Sequence, residues 1–349
     1  MSDRLRDKDS KLSSCLRLLF DNCGVLVGST FDRAATLLSE TLNADPVSAR
    51  VVTESGLARS ALLVISEGRL PPVEPCIRAV PAMLTGLCLS EQALELVDGG
   101  LRPSPLDVFM DGFYDPRYVR AMSENTGMSV GVGLMDLAQS FPRLRPRVVD
   151  GCVRLLKRIL HPRPKEMQAF SALIANSIAP KVDCGEPTLR SSLSFSSNAT
   201  MSSSQSETVS SRAEDELRHA CVRDSVQMIS SVLEHTDMAK LFLEKDGLKL
   251  LLDMYPKTLP PSQRFLVRSG SEYGAQSYIF LSTNLSTIVY SLLDNMRGHI
   301  MTVHQLIQHM DDVLERVVKA RKAAAKDIPE GKGPYSLLKS IPADLTVDQ

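Results

Sequence analysis

The chain has 349 residues, 43% of them hydrophobic, so it can bury a sizeable core as two globular domains or as one continuous stack of repeats. Its 40 Lys and Arg nearly balance 41 Asp and Glu, which disfavours nucleic acid or an anionic membrane as a partner. No apolar run approaches the roughly 20 residues that cross a bilayer, the charged start lacks a signal-type apolar core, and the seven cysteines form no close pairs. We therefore expect a soluble protein of the cytoplasm and/or nucleus.

The first predicted elements are helices, because Trp is absent and aromatic residues make up only 5% of the chain. A long helix is predicted to begin near Ser29, with apolar residues at helical spacing. Asp45-Pro46 then offers a capping side chain followed by proline at a helix start, so a second helix is expected over residues 47–55. A third helix, over residues 57–65, should pack back on the second.

A short phrase recurs along the chain: an apolar helix end, a Gly-Leu pair and another apolar helix. It occurs around Gly56, again around Gly247, and more faintly around Gly100. Glycine accepts the left-handed conformation that closes a helix, so each of these three glycines is predicted to end one. Repeated helix pairs that stack on their neighbours are typical of solenoids.

The middle of the chain continues the helical pattern. The apolar stripe that starts at Glu74 contains Pro81, which is expected either to kink one helix or to begin a second. The glycine-rich stretch 124–134 lacks the spacing of a phosphate-binding loop, so it is interpreted as a flexible lead-in to the next helix. Residues 145–160 form an apolar stripe with arginines and a lysine on the outer side: Arg147, Arg154, Lys157 and Arg158.

These patterns divide the chain into five parts. Residues 1–28 form a partly helical N-terminal segment, and 29–184 form armadillo-like helical repeats. Residues 185–212 are rich in serine and almost free of apolar periodicity, so a disordered linker is predicted there. The repeats are expected to continue over 213–326, where the last helix carries the stripe Val303, Ile307, Met310, Leu314 and Val317, before a flexible tail at 327–349.

Residues that could carry chemistry do not converge in the sequence. His299, His304 and His309 recur at steps of five, which rotate by about 140° on a helix and scatter the rings, so they are not predicted to bind a metal. Cys88 and Cys152 lie on apolar stripes and are interpreted as core residues rather than nucleophiles. No catalytic, cofactor-binding or metal-binding residue is predicted, and no cofactor or small-molecule substrate. A small-molecule enzyme on a helical fold is a third functional class, which is disfavoured because no polar cluster converges.

Several of these packing phrases resemble a known family. The phrases are Asp45-Pro46, Gly56-Leu57, Pro81-x-x-Leu84-x-x-Leu87-Cys88-Leu89, the Leu134-Met135-Asp136-Leu137 helix and the segment starting at Phe242. Together they are similar to the armadillo-like domain of unknown function in the N-terminal arm of giant HECT-type E3 ubiquitin ligases of the Tom1/UPL class. The resemblance covers about two-thirds of the chain and rests on packing motifs. It implies an all-α fold, an armadillo/HEAT-like α-solenoid of stacked helix pairs.

The resemblance also implies a function. In these ligases the solenoid selects and positions substrates, while a C-terminal HECT domain accepts ubiquitin on a cysteine. No cysteine follows Cys221, so the transfer thiol has no counterpart here, and we expect a fragment, a truncated gene model or a separate subunit. The leading hypothesis is a non-catalytic scaffold and substrate-recognition segment whose partners are ubiquitination substrates or other segments of the same ligase. The alternative is a stand-alone armadillo or HEAT adaptor unrelated to ubiquitin.

Overall fold

A computed structural model describes residues 11–23, 28–178, 203–258, 283, 286–289, 292 and 300–326 of the chain. Every regular element in these residues is a helix. The all-α prediction is therefore confirmed. The chain divides into two compact units, residues 1–296 and 297–349.

The first unit begins with short and medium helices. In chain order they are α1 (Lys11–Asp21), α2 (Gly28–Ala44), α3 (Ser48–Glu54), α4 (Leu57–Ser66), α5 (Glu74–Leu87), α6 (Glu91–Glu95), α7 (Pro105–Gly112) and α8 (Pro116–Ala121). A π-helical turn, Leu96–Gly100, follows α6 directly.

Longer helices follow in the same unit. They are α9 (Thr126–Ser140), α10 (Arg145–Leu160), α11 (Pro164–Ile178), α12 (Ser203–Val232), α13 (Thr236–Glu244) and α14 (Gly247–Thr258), with a short 3-10 turn, Pro142–Leu144, between α9 and α10. In the second unit the described helix is α15 (Ile300–Lys326). None of the described helices is both long and apolar enough to span a membrane.

The helices of the first unit form two rows. In one row α2, α5, α9 and α12 follow one another, each packed on the next. In the other row α1, α4, α7, α10 and α14 do the same. The chain alternates between the rows, so each successive helix pair buries its apolar stripe against the pair before it. This arrangement is that of the predicted all-α solenoid.

Neighbours within a row run parallel, as two sets of contacts indicate. Glu74 and Thr126 lie at the starts of α5 and α9, where the Thr126 hydroxyl donates to the Glu74 carboxylate at 2.9 Å. Seven residues further along both helices, a Cβ added at Gly133 would lie 2.7 Å from Cβ of Pro81. Because the contacts advance in the same direction on both helices, successive pairs repeat one orientation.

Pro81 lies inside a single helix, which settles the two alternatives that its sequence left open. α5 continues from Glu74 to Leu87 and neither ends nor restarts at the proline. The Pro81 ring is buried against α9, and the hydroxyl of Thr85 bonds the Pro81 carbonyl oxygen at 3.0 Å. A proline is tolerated here because its ring fills the space beside a glycine on the neighbouring helix.

The glycine-rich stretch is helical, so the prediction of a flexible lead-in was wrong. α9 begins at Thr126 and includes Gly127 and Gly131. A Cβ added at Gly131 would lie 2.5 Å from the Met228 carbonyl oxygen, and one at Gly127 would meet the Asp224 carbonyl oxygen. The two glycines therefore let the α9 and α12 backbones approach closely, a role that outweighs their poor helix propensity.

The left-handed residues that close helices match the Gly-Leu prediction at one position only. Gly56 has φ +79°, as predicted. In the other two phrases the left-handed residue is one position earlier, at Gly99 (φ +113°) and at Asp246 (φ +58°). Asp tolerates this conformation because its short side chain bonds locally. Gly247 is needed for a different reason, since a Cβ there would lie 2.5 Å from the Phe242 ring.

A charged side chain is buried at the α9–α12 contact. Asp224 is fully buried, and its Oδ1 accepts a hydrogen bond from Nε of Arg223 at 2.9 Å. Oδ2 has no hydrogen-bond partner in the part of the chain that the structure describes. Burial raises the pKa of Asp224 to about 6, an effect that Arg223 partly offsets. The ionised carboxylate is therefore a destabilising element of this contact at neutral pH.

The predicted serine-rich linker overlaps a helix. α12 begins at Ser203, so it includes the last ten residues of the predicted linker, 203–212. The overlap includes Glu207 and Arg212, and Ala213 and Glu214 follow; all four are good helix formers. Residues 185–202 of the linker, the first ten residues and the predicted tail 327–349 lie outside the described residues.

Candidate protein-binding site

The residues weighed for chemistry do not form a reaction centre in the described part of the chain. His304 is exposed and His309 is partly exposed on α15, while His299 lies outside the described residues. Within the described residues, no three His, Cys, Asp or Glu side chains are arranged to hold a metal ion.

The cysteines are mostly core residues. Burial raises the pKa of Cys76, Cys88, Cys152 and Cys221 to about 12 each. Such thiols remain protonated at neutral pH and are poor nucleophiles. The interpretation of Cys88 and Cys152 as packing residues agrees with their complete or near-complete burial. Cys15, by contrast, is exposed on α1.

An alternating series of charges joins α7 to α10. Four arginines (Arg143, Arg147, Arg154 and Arg158) alternate with four carboxylates (Asp98, Asp107, Asp111 and Glu166), and we call this set the arginine ladder. Its shortest inner contacts join Arg154 to Asp111 at 2.8 Å and to Asp107 at 2.9 Å. The ladder connects neighbouring helix pairs, since its arginines lie mainly on α10 and its central carboxylates on α7.

Sequence reasoning found three of the four arginines of the ladder and none of its carboxylates. It placed Arg147, Arg154 and Arg158 outside the apolar stripe, which is correct, but assigned them no partners. Asp107 and Asp111 are four residues apart, so they lie on one side of α7. That spacing is a signal that could have identified them as the partners.

Beside the ladder lies a groove made of two clefts. The first has a volume of about 270 Å³ and lies between α4, α5, α7 and α8. The second, of about 460 Å³, extends from α8 to α11. The clefts share Asp115, Arg117 and Arg158, so they lie next to each other, and we call the pair the α8 groove.

The floor of the first cleft is apolar. It is formed by six buried side chains, Ile65, Leu70, Ile77, Phe109, Phe113 and Met122. The hydroxyl of Tyr118 also lines this cleft and donates to the Leu70 carbonyl oxygen at 2.7 Å. Burial raises the pKa of Tyr118 to about 12, so this hydroxyl is a neutral, already bonded group rather than an acid or base.

The carboxylates of the groove are already paired. Asp115 accepts from the backbone N–H of Arg117 at 2.9 Å and from its guanidinium at 2.7 Å. Arg158 contacts both Asp111 and Glu166, and its guanidinium carbon lies 5.2 Å from the Tyr114 ring centroid. Most charges are thus neutralised by neighbours, an arrangement suited to holding the groove walls in place.

A second candidate surface is the apolar stripe of α15, described here within its own unit. Val303, Ile307, Met310 and Leu314 are all exposed, with 44% to 63% of each residue accessible. These are four of the five residues of the predicted stripe. Exposed apolar stripes of this kind are typical of protein-interaction surfaces.

Comparison with known proteins assigns the family. A family model described as Domain of Unknown Function (DUF913) matches residues 2–262. The chain belongs to the DUF913 family. It is also 26% identical over 306 residues to E3 ubiquitin-protein ligase UPL2 from Arabidopsis thaliana, and 28% identical over 270 residues to UPL1 from the same plant. The resemblance identified from the sequence is thereby confirmed.

This chain is much shorter than its two relatives. The alignments cover 86% and 76% of this chain but only 8% of UPL2 and 7% of UPL1. The chain therefore spans less than a tenth of the length of the curated relatives it matches. Most of the first unit, including the arginine ladder and the α8 groove, lies inside the DUF913 match.

Proposed function

We propose that the chain is a non-catalytic scaffold and substrate-recognition segment of a HECT-type E3 ubiquitin ligase. The observation that carries the proposal is its similarity, over most of its length, to a small part of two much larger E3 ubiquitin-protein ligases. A two-row helical stack exposes long side surfaces built from many helices, and such surfaces suit protein binding. Its partners would be ubiquitination substrates or other segments of the same ligase.

The environment of the thiols supports a non-catalytic role. HECT-type transfer requires a nucleophilic cysteine that reaches the ubiquitin C-terminus, and a thiol with a pKa near 12 is neither ionised nor accessible. Cys15 is the exposed cysteine of the described residues, and it lies on the amphipathic helix α1.

A thioester assay tests the non-catalytic part of the proposal. The purified chain is incubated with E1, an E2 and fluorescent ubiquitin, and the products are separated without reducing agent. We expect no thiol-sensitive ubiquitin adduct on the chain. An adduct that disappears in Cys15→Ser, or in a variant of any other cysteine, would place catalysis in this chain and overturn the proposal.

A second assay tests the link to ubiquitin ligation. The endogenous gene product is captured from its own cells with an antibody to this segment, then treated with a ubiquitin-based probe that labels HECT cysteines. We expect a labelled polypeptide in the captured material. Captured material that transfers no ubiquitin and takes no probe would favour the stand-alone adaptor instead.

We also propose that the chain acts in the cytoplasm or nucleus. The six described cysteines are unpaired, which fits a reducing compartment. Fluorescence microscopy of the tagged endogenous protein tests this, and a signal confined to a secretory compartment would contradict it.

A further inference from the structure

We infer that the α8 groove binds a linear protein segment that combines an apolar anchor side chain with acidic residues. This inference deepens the proposed function, because it gives the scaffold a specific binding surface and a ligand chemistry. It rests on the shape of the groove, its apolar floor and the charge of exposed Lys165 on its rim.

The size and lining of the first cleft define the anchor. At about 270 Å³, it lies just below the range of about 300–1,000 Å³ that is usual for small-molecule pockets. Its floor is apolar, and the one hydroxyl described on that floor, that of Tyr118, is already bonded to the Leu70 carbonyl oxygen. An aliphatic or aromatic side chain gains from burial against this floor.

The charges of the second cleft define the flanking residues. Its two carboxylates are engaged, Asp115 by Arg117 and Glu166 by Arg158. Lys165 lines the same cleft, is exposed, and has no ion-pair partner in the described residues. The side chain of Arg117 is 62% exposed despite its contact with Asp115. The free charge offered to a ligand is therefore positive, and an acidic segment complements it.

The arginine ladder keeps the groove ready for such a segment. Arg158 lines both clefts and is held by Asp111, Glu166 and the Tyr114 ring, so little side-chain freedom remains to be lost on binding. The groove also lies across several helices of the first unit, from α4 to α11, which allows an extended chain to follow it.

Fluorescence anisotropy with synthetic peptides tests the inference. The probes are fluorescein-labelled ten-residue peptides with a central Leu-Phe pair and three glutamates on either its N-terminal or its C-terminal side. We expect saturable binding of at least one of them to the full chain. Replacing Leu-Phe by Ser-Ser, or the glutamates by lysines, should weaken binding at least about 10-fold, because each removes one of the two recognition elements.

Variants of the protein provide matched controls. Lys165→Glu, which replaces an attraction by a repulsion, should weaken binding about 5-fold, the upper end of the scale of one exposed ion pair, whereas Lys249→Glu on α14 should change it less than about 2-fold. Both lysines are exposed, so neither change should alter the thermal unfolding midpoint by more than about 1 °C. Val108→Phe, which narrows the first cleft, should weaken binding of the Leu-Phe peptide. The further loss on replacing the peptide's glutamates by lysines should be the same in this variant as in the wild-type protein.

Three results of the peptide-binding assay would overturn the inference. They are the absence of binding by either glutamate peptide, equal binding by the Ser-Ser peptides, and equal loss in Lys165→Glu and Lys249→Glu. A dimer in light scattering that Lys165→Glu abolishes would mean that a second copy of the chain occupies the groove, which also overturns it. None of these results bears on the thioester or ligase-capture assays, so failure of the groove and failure of the proposed function are distinguishable.

Discussion

The buried carboxylate of Asp224 gives a quantitative prediction for stability against pH. Its pKa rises from 3.8 to about 6 on folding, chiefly because burial penalises the charged form. One pKa unit corresponds to about 1.4 kcal/mol, so keeping Asp224 ionised costs the folded state about 3 kcal/mol at pH 7. The folded-state pKa is raised, so stability increases as the pH falls through about 6 and levels off below about 4.

Asp224→Asn isolates this cost. The amide is uncharged at all these pH values and similar in shape, so we expect the variant to be more stable than the wild-type protein by about 2–3 kcal/mol at pH 7.5. The difference should shrink steadily to about 1 kcal/mol at pH 4.5, because the carboxyl is then protonated in the folded state but still largely ionised in the unfolded state. Urea unfolding followed by circular dichroism at pH 7.5, 6.5, 5.5 and 4.5 measures both quantities.

Asp136→Asn is the matched control, because Asp136 is an exposed residue on α9, the helix that packs against Asp224. It should leave stability within about 0.5 kcal/mol of wild type at every pH. The reasoning would be refuted if Asp224→Asn were less stable than wild type at pH 7.5, or if its advantage did not change with pH. Either result would mean that the carboxylate makes a favourable interaction that outweighs its burial.

Three further predictions concern packing, charge and the exposed stripe. Gly131→Ala should destabilise the protein by about 1–3 kcal/mol in urea unfolding, because its Cβ would meet the α12 backbone. Gly112→Ala, whose Cβ has no neighbour closer than 3.7 Å, should be neutral or slightly stabilising, and similar effects of the two substitutions would argue against the close α9–α12 contact. Arg154→Gln should lower the unfolding free energy by about 1 kcal/mol at low ionic strength and by less in 1 M NaCl, because its ion pairs with Asp107 and Asp111 are partly exposed and are screened by salt. An effect that salt leaves unchanged would contradict the ladder geometry. Ile307→Glu combined with Leu314→Glu should reduce retention on a hydrophobic-interaction column without lowering the unfolding midpoint, since both residues are exposed; a lower midpoint would show that they are buried in solution.

Apolar periodicity was sufficient to predict the helices and their stacking. The stripes of α2, α5 and α10 were read correctly because each carries three or more apolar residues at spacings of three and four, a pattern dominated by burial. The interpretation of the stretch 124–134 failed because glycine was weighed by its local propensity alone. Gly127 and Gly131 are four residues apart, the spacing that places both on the side of α9 facing α12, and this is visible in the sequence.

The binding surface could not be predicted in the same way. The α8 groove combines residues such as Ile65, Phe109, Tyr118 and Arg158, which lie far apart in the chain and meet only when neighbouring helix pairs stack. The burial of Asp224 also depends on residues far away in the chain. In the sequence alone, Asp224 beside Arg223 looks like half of an exposed ion pair, but in the structure it is fully buried. Periodicity identifies which side of a helix is buried, but not which segment of another helix lies against it.

The two rows of the first unit are joined by different kinds of contact, and this has a mechanical consequence. Along α5, α9 and α12 the helices meet through Gly133, Gly131 and Gly127, so the joints consist of backbone against backbone and close-fitting side chains. α7 and α10 also meet at a glycine, Gly151 against Met110, and the arginine ladder adds ion pairs across this joint. Bending that widens the ladder edge would have to separate these ion pairs, so the α8 groove should keep its width when a protein binds.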